Sequence, residues 1–379
     1  MKKKIRVLHI AQAAGGVDRY LRSLLKYFDS DNFENILLCS YDFYKEDYAK
    51  IVDEFIQINM IREISVKSDI CAIKEVRKII KKFSPDVVYM HSSKAGAIGR
   101  IADIGIKNAK VYNPHGWAFN MDCGKKKQTM YRLIEKFLAA FTTQFVCISE
   151  AEKISAINNH ITKTQKLNVI LNGIDIENCN EQMTNCFTRN ELGIPEDAFI
   201  VGQVGRISKQ KSPDVFIKAA AMIKNEIPNA YFVLVGDGDM KDEVLSYAKE
   251  HGLSDSITIT GWVENPLSYV PLFDVATLLS RWEGFGLVLP EYMLAQKPIV
   301  ASNVDAIPTI IHSGVNGMLV SMESPRDVCD SIMKIYNDNN FKNTLIKNGN
   351  NIVYKNFDAA RVSEKHEKLM IKIVGGKNG

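Results

Sequence analysis

The sequence predicts an α/β protein with two doubly wound domains, each a parallel sheet covered by helices on both faces. A chain of 379 residues is too long for one ordinary core and fits two domains of about 150 to 200 residues. Short β-branched runs alternate with longer amphipathic stretches, which is typical of repeated strand-helix units. This alternation stops near the middle of the chain and then starts again.

Six strands are expected in the first half of the chain. The polar stretch from Glu177 to Glu191 then interrupts the pattern and is interpreted as the interdomain connection. We place the first domain at residues 1–175. Its expected strands are Ile5–Ile10, Ile36–Cys39, Val87–Met90, Lys110–Asn113, Phe145–Ile148 and Val169–Leu171.

A second series of six strands indicates a second domain at residues 176–356. Its near-continuous apolar runs fit parallel strands that are buried on both faces. Two such domains facing a central cleft would bind ligands between the carboxyl ends of their sheets. The expected strands are Phe199–Gly205, Tyr231–Val235, Ile257–Thr260, Val275–Leu278, Ile299–Ala301 and Gly317–Val320.

Composition excludes several classes of protein. The formal net charge of +4, from 48 basic and 44 acidic residues, is too small to indicate nucleic-acid binding. The seven cysteines contain no C-x-x-C pair, so we expect free thiols and a cytoplasmic protein. The apolar run Val7–Ile10 after the first lysines is too short for a signal peptide.

Two lysine clusters, Lys2–Lys4 and Lys125–Lys127, suggest peripheral contact with anionic lipid. Each lysine near a charged membrane contributes about 1 kcal/mol, although solvated lysines explain the clusters equally well. Trp117, Phe119 and Met121 either form an amphipathic edge beside the second cluster or belong to the core. The longest uncharged run is too short to span a bilayer.

A loop from Ser280 to Leu287 contains the clearest candidate site. It follows a buried strand and precedes a helix predicted from Leu287 to Leu294, so its backbone N–H groups can bind an anion. Glycines without a Cβ let the backbone approach a diphosphate closely. The candidate donor-binding residues here are Gly284, Phe285, Gly286 and Leu287.

Two carboxylates lie on either side of these glycines. Glu291, one turn into the predicted helix, can accept two hydrogen bonds from a ribose diol. Glu283, eight residues earlier, can accept hydrogen bonds from the hydroxyls of a sugar. Glutamates at such spacing are usually solvated, but the strand-loop-helix setting favours a nucleotide-sugar site.

Further candidates follow other strands of the second domain. Arg206 and Lys211 would neutralise the charge that develops on a departing nucleoside diphosphate. Val263 is a candidate donor contact, and Trp262 beside it is either a wall for a nucleobase or part of the core. A Gly236-x-Gly238 pair suggests a dinucleotide fingerprint only weakly, because Lys241 replaces the third glycine.

The first domain offers three loops at strand ends. Gly15 and Gly16 suit close approach of a ligand to the backbone. The run from His91 through Ser92 and Ser93 to Lys94 can bind an anionic group, with Ser92 as a simple helix N-cap being the alternative. His115 follows a third strand and is either a site residue or a structural histidine.

These motifs closely resemble glycosyltransferase family 4, in particular Gly205-Arg206 with Lys211, Gly261-Trp-Val, and Glu283-Gly-Phe-Gly-Leu followed by Glu291. The resemblance implies a GT-B fold, a retaining reaction, no metal and no cofactor. It implies that His115 contacts the transferred sugar and that Gly16 lies under the donor phosphates, with Gly15 and His91–Lys94 on the acceptor side. It also implies that a C-terminal helix at 357–374 packs on the first domain.

We therefore expect an enzyme that transfers a sugar, most simply from a UDP-sugar, to a saccharide carried on a polyprenyl diphosphate. Catalytic roles are assigned to His115, Arg206, Lys211 and Glu283. The resemblance around His91 and the lysine clusters favour synthesis of a surface polysaccharide at the inner face of the plasma membrane. The alternatives are a soluble sugar or sugar-phosphate acceptor, and a non-catalytic scaffold that binds nucleotide sugars.

Overall fold

The structure is a computed structural model that describes residues 3–12, 14–121 and 123–376. The chain divides into two compact units. Unit 1 contains the residues up to Gly173 together with those from Ala359 onward, and unit 2 contains Ile174–Asp358. The predicted boundary at 175/176 lies two residues beyond this division.

Unit 1 has, in its described part, a parallel sheet of seven strands in the order β3-β2-β1-β4-β5-β6-β7. The order reverses beside β1, so the loops after β1 and β4 emerge at a topological switch point, where doubly wound folds bind ligands. The strands are β1 Ile5–Ala11, β2 Phe33–Cys39, β3 Glu54–Gln57, β4 Val87–His91, β5 Ala109–Asn113, β6 Gln144–Cys147 and β7 Leu167–Val169.

Six α-helices of unit 1 are described. The last of them follows unit 2 in sequence and packs on α1, where the Ser363 hydroxyl donates to the Leu24 carbonyl and the Glu367 carboxylate accepts from the Asp29 N–H. Their bounds are α1 Gly16–Lys26, α2 Val66–Phe83, α3 Ser93–Ala102, α4 Lys125–Ala139, α5 Glu150–Asn158 and, at the end of the chain, α13 Ala359–Gly375.

Unit 2 has a parallel sheet of six strands in the order β10-β9-β8-β11-β12-β13. The strands are β8 Phe199–Val204, β9 Ala230–Val235, β10 Ile257–Ile259, β11 Val275–Leu278, β12 Ile299–Ser302 and β13 Met318–Val320. The helices are α6 Ile176–Thr184, α7 Pro213–Glu226, α8 Lys241–Glu250, α9 Val288–Leu294, α10 Ile307–Ile310, α11 Pro325–Asn337 and α12 Asn339–Asn356.

The prediction of two parallel-sheet domains is confirmed, with several differences in detail. Strand β3 was not predicted, because Phe55 and Ile56 are too few apolar residues to stand out in a short edge strand. Strand β7 ends two residues before the predicted Leu171. The connection proposed at 177–191 is wrong, since this stretch contains most of α6, a helix of unit 2. Cys179 is the one residue of α6 that is buried, so its sequence lacks the apolar stripe of a typical helix.

Two glycines of unit 2 have a packing role. A Cβ on Gly236 would lie 2.1 Å from the carbonyl oxygen of Gly205, and one on Gly238 would lie 2.1 Å from that of Ile207. The loops after β8 and β9 therefore contact each other backbone to backbone. This close approach accounts for the Gly-x-Gly pair without a dinucleotide.

Candidate active site

The loops after β8 and β11 are fastened together at the carboxyl edge of the unit 2 sheet. These two strands are neighbours, so the loops leave the sheet side by side. The Arg281 guanidinium forms a bidentate ion pair with Asp214 at 3.0 and 2.8 Å. The backbone N–H of Arg281 donates to the Gln210 carbonyl at 2.8 Å. The Gln210 amide in turn donates to the Trp282 carbonyl at 3.0 Å. Hydrogen bonds and an ion pair thus join the two loops to each other.

Glu283 lies inside this arrangement and is 9% exposed. One of its carboxylate oxygens contacts the Lys211 ammonium group directly and accepts from the Ser280 hydroxyl at 3.1 Å. The backbone N–H of Glu283 donates to the Asp305 carboxylate at 2.9 Å. The sequence predicted separate roles for Lys211 and Glu283, whereas the structure brings them together as an ion pair.

Arg206 is exposed next to that pair. Its side chain forms no hydrogen bond or ion pair with any residue that the structure describes. Since Glu283 compensates the charge of Lys211, Arg206 supplies an uncompensated positive charge beside the pair. An anionic group of a ligand would be attracted here.

The glycine loop leads into α9 as predicted. Gly284 is exposed, whereas Phe285 is buried with its ring 5.8 Å from that of Phe357. Gly286 has φ of 84°, which favours glycine, and a Cβ there would lie 3.0 Å from the Leu278 side chain. Leu287 is the N-cap of α9, and Glu291, in the first turn, is 1% exposed.

The loop after β10 presents an aromatic surface. Trp262 is 76% exposed, so of its two alternatives the one that placed it in the core is wrong. Val263 beside it is half-buried. An exposed indole ring stacks readily on a flat aromatic ligand.

In unit 1, the loops after β1 and β4 start two helices. Gly15 has φ of 92° and precedes α1, whose first residue is Gly16, and both glycines are exposed. Lys94, in α3, forms an ion pair with Asp69 at 2.6 Å and donates to the Glu63 carbonyl at 2.7 Å. Lys94 therefore also has a structural role, since it ties α3 to the first turn of α2.

Ser92 and Ser93 join β4 to α3. Ser92 has φ of 73° and makes no side-chain capping hydrogen bond, so it is not the simple N-cap considered above. Its hydroxyl is buried and has no hydrogen-bond partner in the described part of the chain. Ser93, the first residue of α3, is half-buried.

His115 lies in a turn after β5 with φ of 51°, a conformation that most residues avoid. The backbone N–H of His115 donates to the Asn113 side-chain oxygen at 3.0 Å. The imidazole Nε2 of His115 lies 3.2 Å from Nδ1 of the buried His91. Burial lowers the pKa of His115 to about 3. The structure thus joins two predicted site residues and keeps their imidazoles neutral at neutral pH.

The sequence of this chain matches two family models and a known bacterial protein. The family model described as Glycosyltransferase Family 4 matches residues 14–178, and the model described as Glycosyl transferases group 1 matches residues 186–352. An uncharacterised 41.2 kDa protein of the cps region of Klebsiella pneumoniae is 30% identical, over 86% of this chain and 88% of that protein. The chain belongs to glycosyltransferase family 4. It is accordingly an enzyme, and the predicted resemblance is confirmed.

Other relatives of this family 4 glycosyltransferase define its fold. The Escherichia coli UDP-Gal:alpha-D-GlcNAc-diphosphoundecaprenol alpha-1,3-galactosyltransferase is 28% identical over 99% of this chain and 98% of that protein. The Anabaena protein HepE, solved in complex with UDP, superposes with a TM-score of 0.82 at 20% identity and covers 97% of this chain and 100% of its own. The GT-B fold is therefore confirmed.

A further solved structure limits what this fold implies. Sucrose-phosphate synthase from Thermosynechococcus elongatus superposes equally well, with a TM-score of 0.82 at 17% identity, over 98% of this chain and 100% of its own. Proteins with differently named products thus share the fold. The acceptor of this family 4 glycosyltransferase has to be argued from other features.

Glu152 is a residue of the glycosyltransferase that sequence reasoning missed. Its two carboxylate oxygens accept from the Gly116 and Ile148 N–H groups, each at 2.7 Å, and its carbonyl accepts from the Trp117 indole at 2.9 Å. Burial raises its pKa to about 7. The spacing from Ser149 to Glu152 is that of a capping box, but the contact with the His115 turn depends on tertiary structure.

Of the two alternatives for Trp117, Phe119 and Met121, an amphipathic edge or the core, the core is correct for the first two. Trp117 and Phe119 are 2% and 6% exposed and stack on each other in the core of unit 1, so of that group only Met121, 52% exposed, faces outward. Lys3 pairs with Asp86 and Lys4 donates to the Ser30 carbonyl. Lys2 lies outside the described residues.

Proposed function

We propose that this glycosyltransferase moves a hexose from a UDP-sugar to a saccharide carried on a polyprenyl diphosphate, during assembly of a bacterial surface polysaccharide. The observation that carries the proposal is the exposed Arg206 beside the Lys211–Glu283 pair, at the carboxyl ends of β8 and β11. The names of the E. coli galactosyltransferase and of the HepE complex with UDP support the choice of donor and acceptor.

The chemistry follows from the charges at this edge of unit 2. As the bond between the sugar and the diphosphate breaks, negative charge grows on the leaving phosphate. Arg206 stabilises it without giving up a partner among the described residues, and Lys211 stabilises it by exchanging Glu283 for the phosphate. When Lys211 turns to the phosphate, the Glu283 carboxylate becomes available to the hydroxyls of the sugar.

The remaining donor contacts complete the proposal. Glu291 binds the ribose, the amides of the Gly284–Leu287 loop bind the diphosphate, and Val263 with Trp262 flanks the base. Two cations at the leaving group let the reaction proceed without a metal. Retention of the anomeric configuration is proposed from the family resemblance, through a front-face step in which the leaving phosphate accepts the proton of the acceptor hydroxyl.

Binding of the donor is tested by a thermal-shift panel of nucleotide sugars. A UDP-sugar at 100 times its Kd should add about 2.7 kcal/mol to the free energy of unfolding. We expect UDP-galactose, UDP-glucose or an N-acetylated relative to stabilise the protein, and GDP-mannose, the control, to leave it unchanged. Stabilisation by GDP-mannose alone would contradict the assignment of the nucleotide.

The acceptor is identified by a second assay with the same donor. Transfer to an undecaprenyl-diphosphate saccharide, measured as UDP release and as labelled lipid, is the expected outcome. Transfer to free sugars or sugar phosphates in aqueous solution would instead establish the soluble-acceptor alternative. If the protein binds UDP but transfers sugar to neither class of acceptor, the proposed function is wrong.

A surface on α4 supports contact with the membrane that carries such an acceptor. Its outer stripe consists of Met130, Leu133, Ile134 and Phe137, which are 40%, 60%, 38% and 65% exposed. This is the i, i+3, i+4, i+7 spacing of one helical face. Lys125–Lys127, Arg132 and Lys136 lie on the same helix. Apolar residues combined with cations are the features by which a helix binds anionic lipid.

The opposite face of α4 is fixed in unit 1. The buried Glu135 accepts from Arg100 at 2.9 Å and from the Tyr112 hydroxyl at 3.0 Å. The helix therefore cannot turn its apolar stripe inward without breaking a buried ion pair. None of the described helices is long and apolar enough to cross a bilayer. The contact proposed here is peripheral, at the cytoplasmic face of the plasma membrane.

Vesicle binding tests the α4 surface. We expect the protein to co-sediment with vesicles that contain anionic phosphatidylglycerol and much less with pure phosphatidylcholine. The double change Leu133→Ser and Phe137→Ser should weaken binding by about tenfold or more, because two apolar side chains no longer enter the bilayer. Leu245→Ser, at an exposed leucine of α8, is the matched control. Equal binding of both variants would contradict the α4 assignment.

A further inference from the structure

Three histidines of unit 1 form a hydrogen-bonded series that starts deep in the sheet. His9 lies in β1, His91 ends the neighbouring β4, and His115 follows β5. Nδ1 of His9 is 3.3 Å from Nε2 of His91, and Nδ1 of His91 is 3.2 Å from Nε2 of His115. His9 and His91 are completely buried.

The buried Asn35 in β2 ends the series on the inside. Its side-chain oxygen lies 3.2 Å from Nε2 of His9, and its backbone N–H donates to the Asp53 carboxylate at 2.7 Å. An amide oxygen can only accept, so Nε2 of His9 must carry the proton in that bond. A neutral imidazole has one donor and one acceptor nitrogen, so Nδ1 of His9 is an acceptor.

The same rule sets each following ring. Nε2 of His91 donates to His9, which leaves Nδ1 of His91 as an acceptor. Nε2 of His115 then donates to His91, which leaves Nδ1 of His115 with a free lone pair. Among the residues that the structure describes, Nδ1 of His115 has no hydrogen-bond partner, and the His115 side chain is half-buried.

The rings remain neutral in the folded protein. Burial lowers the pKa of His9 and of His115 to about 3 and that of His91 well below its ordinary value. A proton added to any of them would place a positive charge among desolvated neighbours. The order of donors and acceptors therefore holds throughout the neutral pH range.

We propose that Asn35, His9 and His91 are positioning residues that hold His115 as the Nε2–H tautomer, so that its Nδ1 accepts a hydrogen bond from a hydroxyl of the bound sugar. A fully ionised phosphate ester or an ionised carboxylate has no proton to donate to this lone pair. His115 thus selects a neutral, hydroxyl-bearing part of the substrate. The identity of that ligand depends on the proposed function, whereas the tautomer of His115 does not.

Nitrogen NMR of the protein with 15N-labelled histidine rings tests the tautomer without any substrate. At pH 7.5 we expect a proton on Nε2 of His115 and none on Nδ1, with the signals assigned from their loss in His115→Gln. Asn35→Leu, which removes the acceptor at the inner end, should give a mixture of both tautomers at His115. Asn35→Asp, which keeps an acceptor there, should retain the wild-type pattern.

Two results would overturn the proposal. One is a wild-type His115 protonated on Nδ1, and the other is an Asn35→Leu protein that folds and keeps the single tautomer. If Asn35→Leu fails to fold, His9→Gln interrupts the series at the next position and is held to the same criterion. Arg22→Gln, at a surface ion pair with Asp18, is the control that should leave the spectrum unchanged.

A kinetic measurement distinguishes positioning from general stability. With an active donor and acceptor, Asn35→Leu should lower kcat in proportion to the fraction of molecules with a proton on Nδ1 of His115, about twofold for an equal mixture, because those molecules offer a donor where the sugar requires an acceptor. Asn35→Asp should restore most of the rate. If NMR finds the wild-type tautomer but the protein transfers no sugar, the proposed function is contradicted. The proposal that Asn35, His9 and His91 set the tautomer of His115 would still stand.

Discussion

Replacement of both Arg206 and Lys211 by alanine is expected to lower kcat by about three orders of magnitude. Removing one preorganised group that stabilises developing charge usually costs about 10² to 10³ in rate. The two cations share one leaving phosphate, so their effects should not simply multiply. Initial rates of UDP release at saturating donor give the measurement.

The loop that contains these cations also supplies a matched control. Lys209 is exposed in the same segment, and the hydrogen bonds that the structure describes for it are accepted by its backbone carbonyl, from Arg281 and from the Ser212 N–H. Lys209→Ala should retain wild-type turnover. Arg206→Ala should leave the thermal midpoint unchanged, since the arginine has no partner among the described residues. A double variant that keeps more than about a tenth of the activity would exclude these residues from stabilising the leaving group.

Acidification from pH 7.5 to pH 5 is expected to destabilise unit 1 strongly. Burial lowers the pKa of His9 and His115 to about 3, that of His366 to about 4 and that of His91 well below its ordinary value, against about 6.5 in the unfolded chain. At each of these histidines the unfolded state takes up a proton in this window, so stability falls as the pH falls. Glu152, whose pKa burial raises to about 7, takes up a proton in the folded state instead and offsets about one histidine's share of the loss. At pH 5 the loss is about 2 kcal/mol per histidine.

Urea unfolding at pH 7.5, 6 and 5 measures this loss. All four histidines belong to unit 1, so hydrogen exchange should report opening of unit 1 before unit 2. His366→Gln removes one titrating group and should make the pH dependence shallower, whereas His251→Gln, at an exposed position of unit 2, should not. A stability that stays constant down to pH 5 would mean that the histidines are not neutral and buried as described.

The Lys211–Glu283 pair shows where prediction from sequence ends. Both residues were chosen correctly as neighbours of strand ends, because the preceding apolar runs identify β8 and β11 locally. Their separation of 72 residues gave no indication that they form an ion pair. That contact exists because β8 and β11 lie side by side, and strand order is a property of the assembled sheet.

The hydrogen-bonded series of His9, His91 and His115 also depends on the strand order of the assembled sheet. His91 and His115 were selected individually, whereas His9, inside a strand of ordinary apolar pattern, was not selected at all. The parallel pairing of β1 with β4 places Ala11 beside His91 and so brings His9 within reach of it. The hydrogen bond from the Gly116 N–H to Glu152 likewise joins residues that are 36 positions apart in the sequence.

By itself, the sequence determined the two-domain α/β class, twelve of the strands, the glycine loop before α9 and the membership in glycosyltransferase family 4. These features are local, because strand propensity, turn glycines and residue spacing act over a few neighbouring residues. Only the tertiary structure decided that Trp262 is exposed, that Trp117 is buried and that α4 turns an apolar stripe outward. It also decided the pairing of Lys211 with Glu283 and the orientation of His115, since burial and hydrogen-bond order depend on which distant segments pack together.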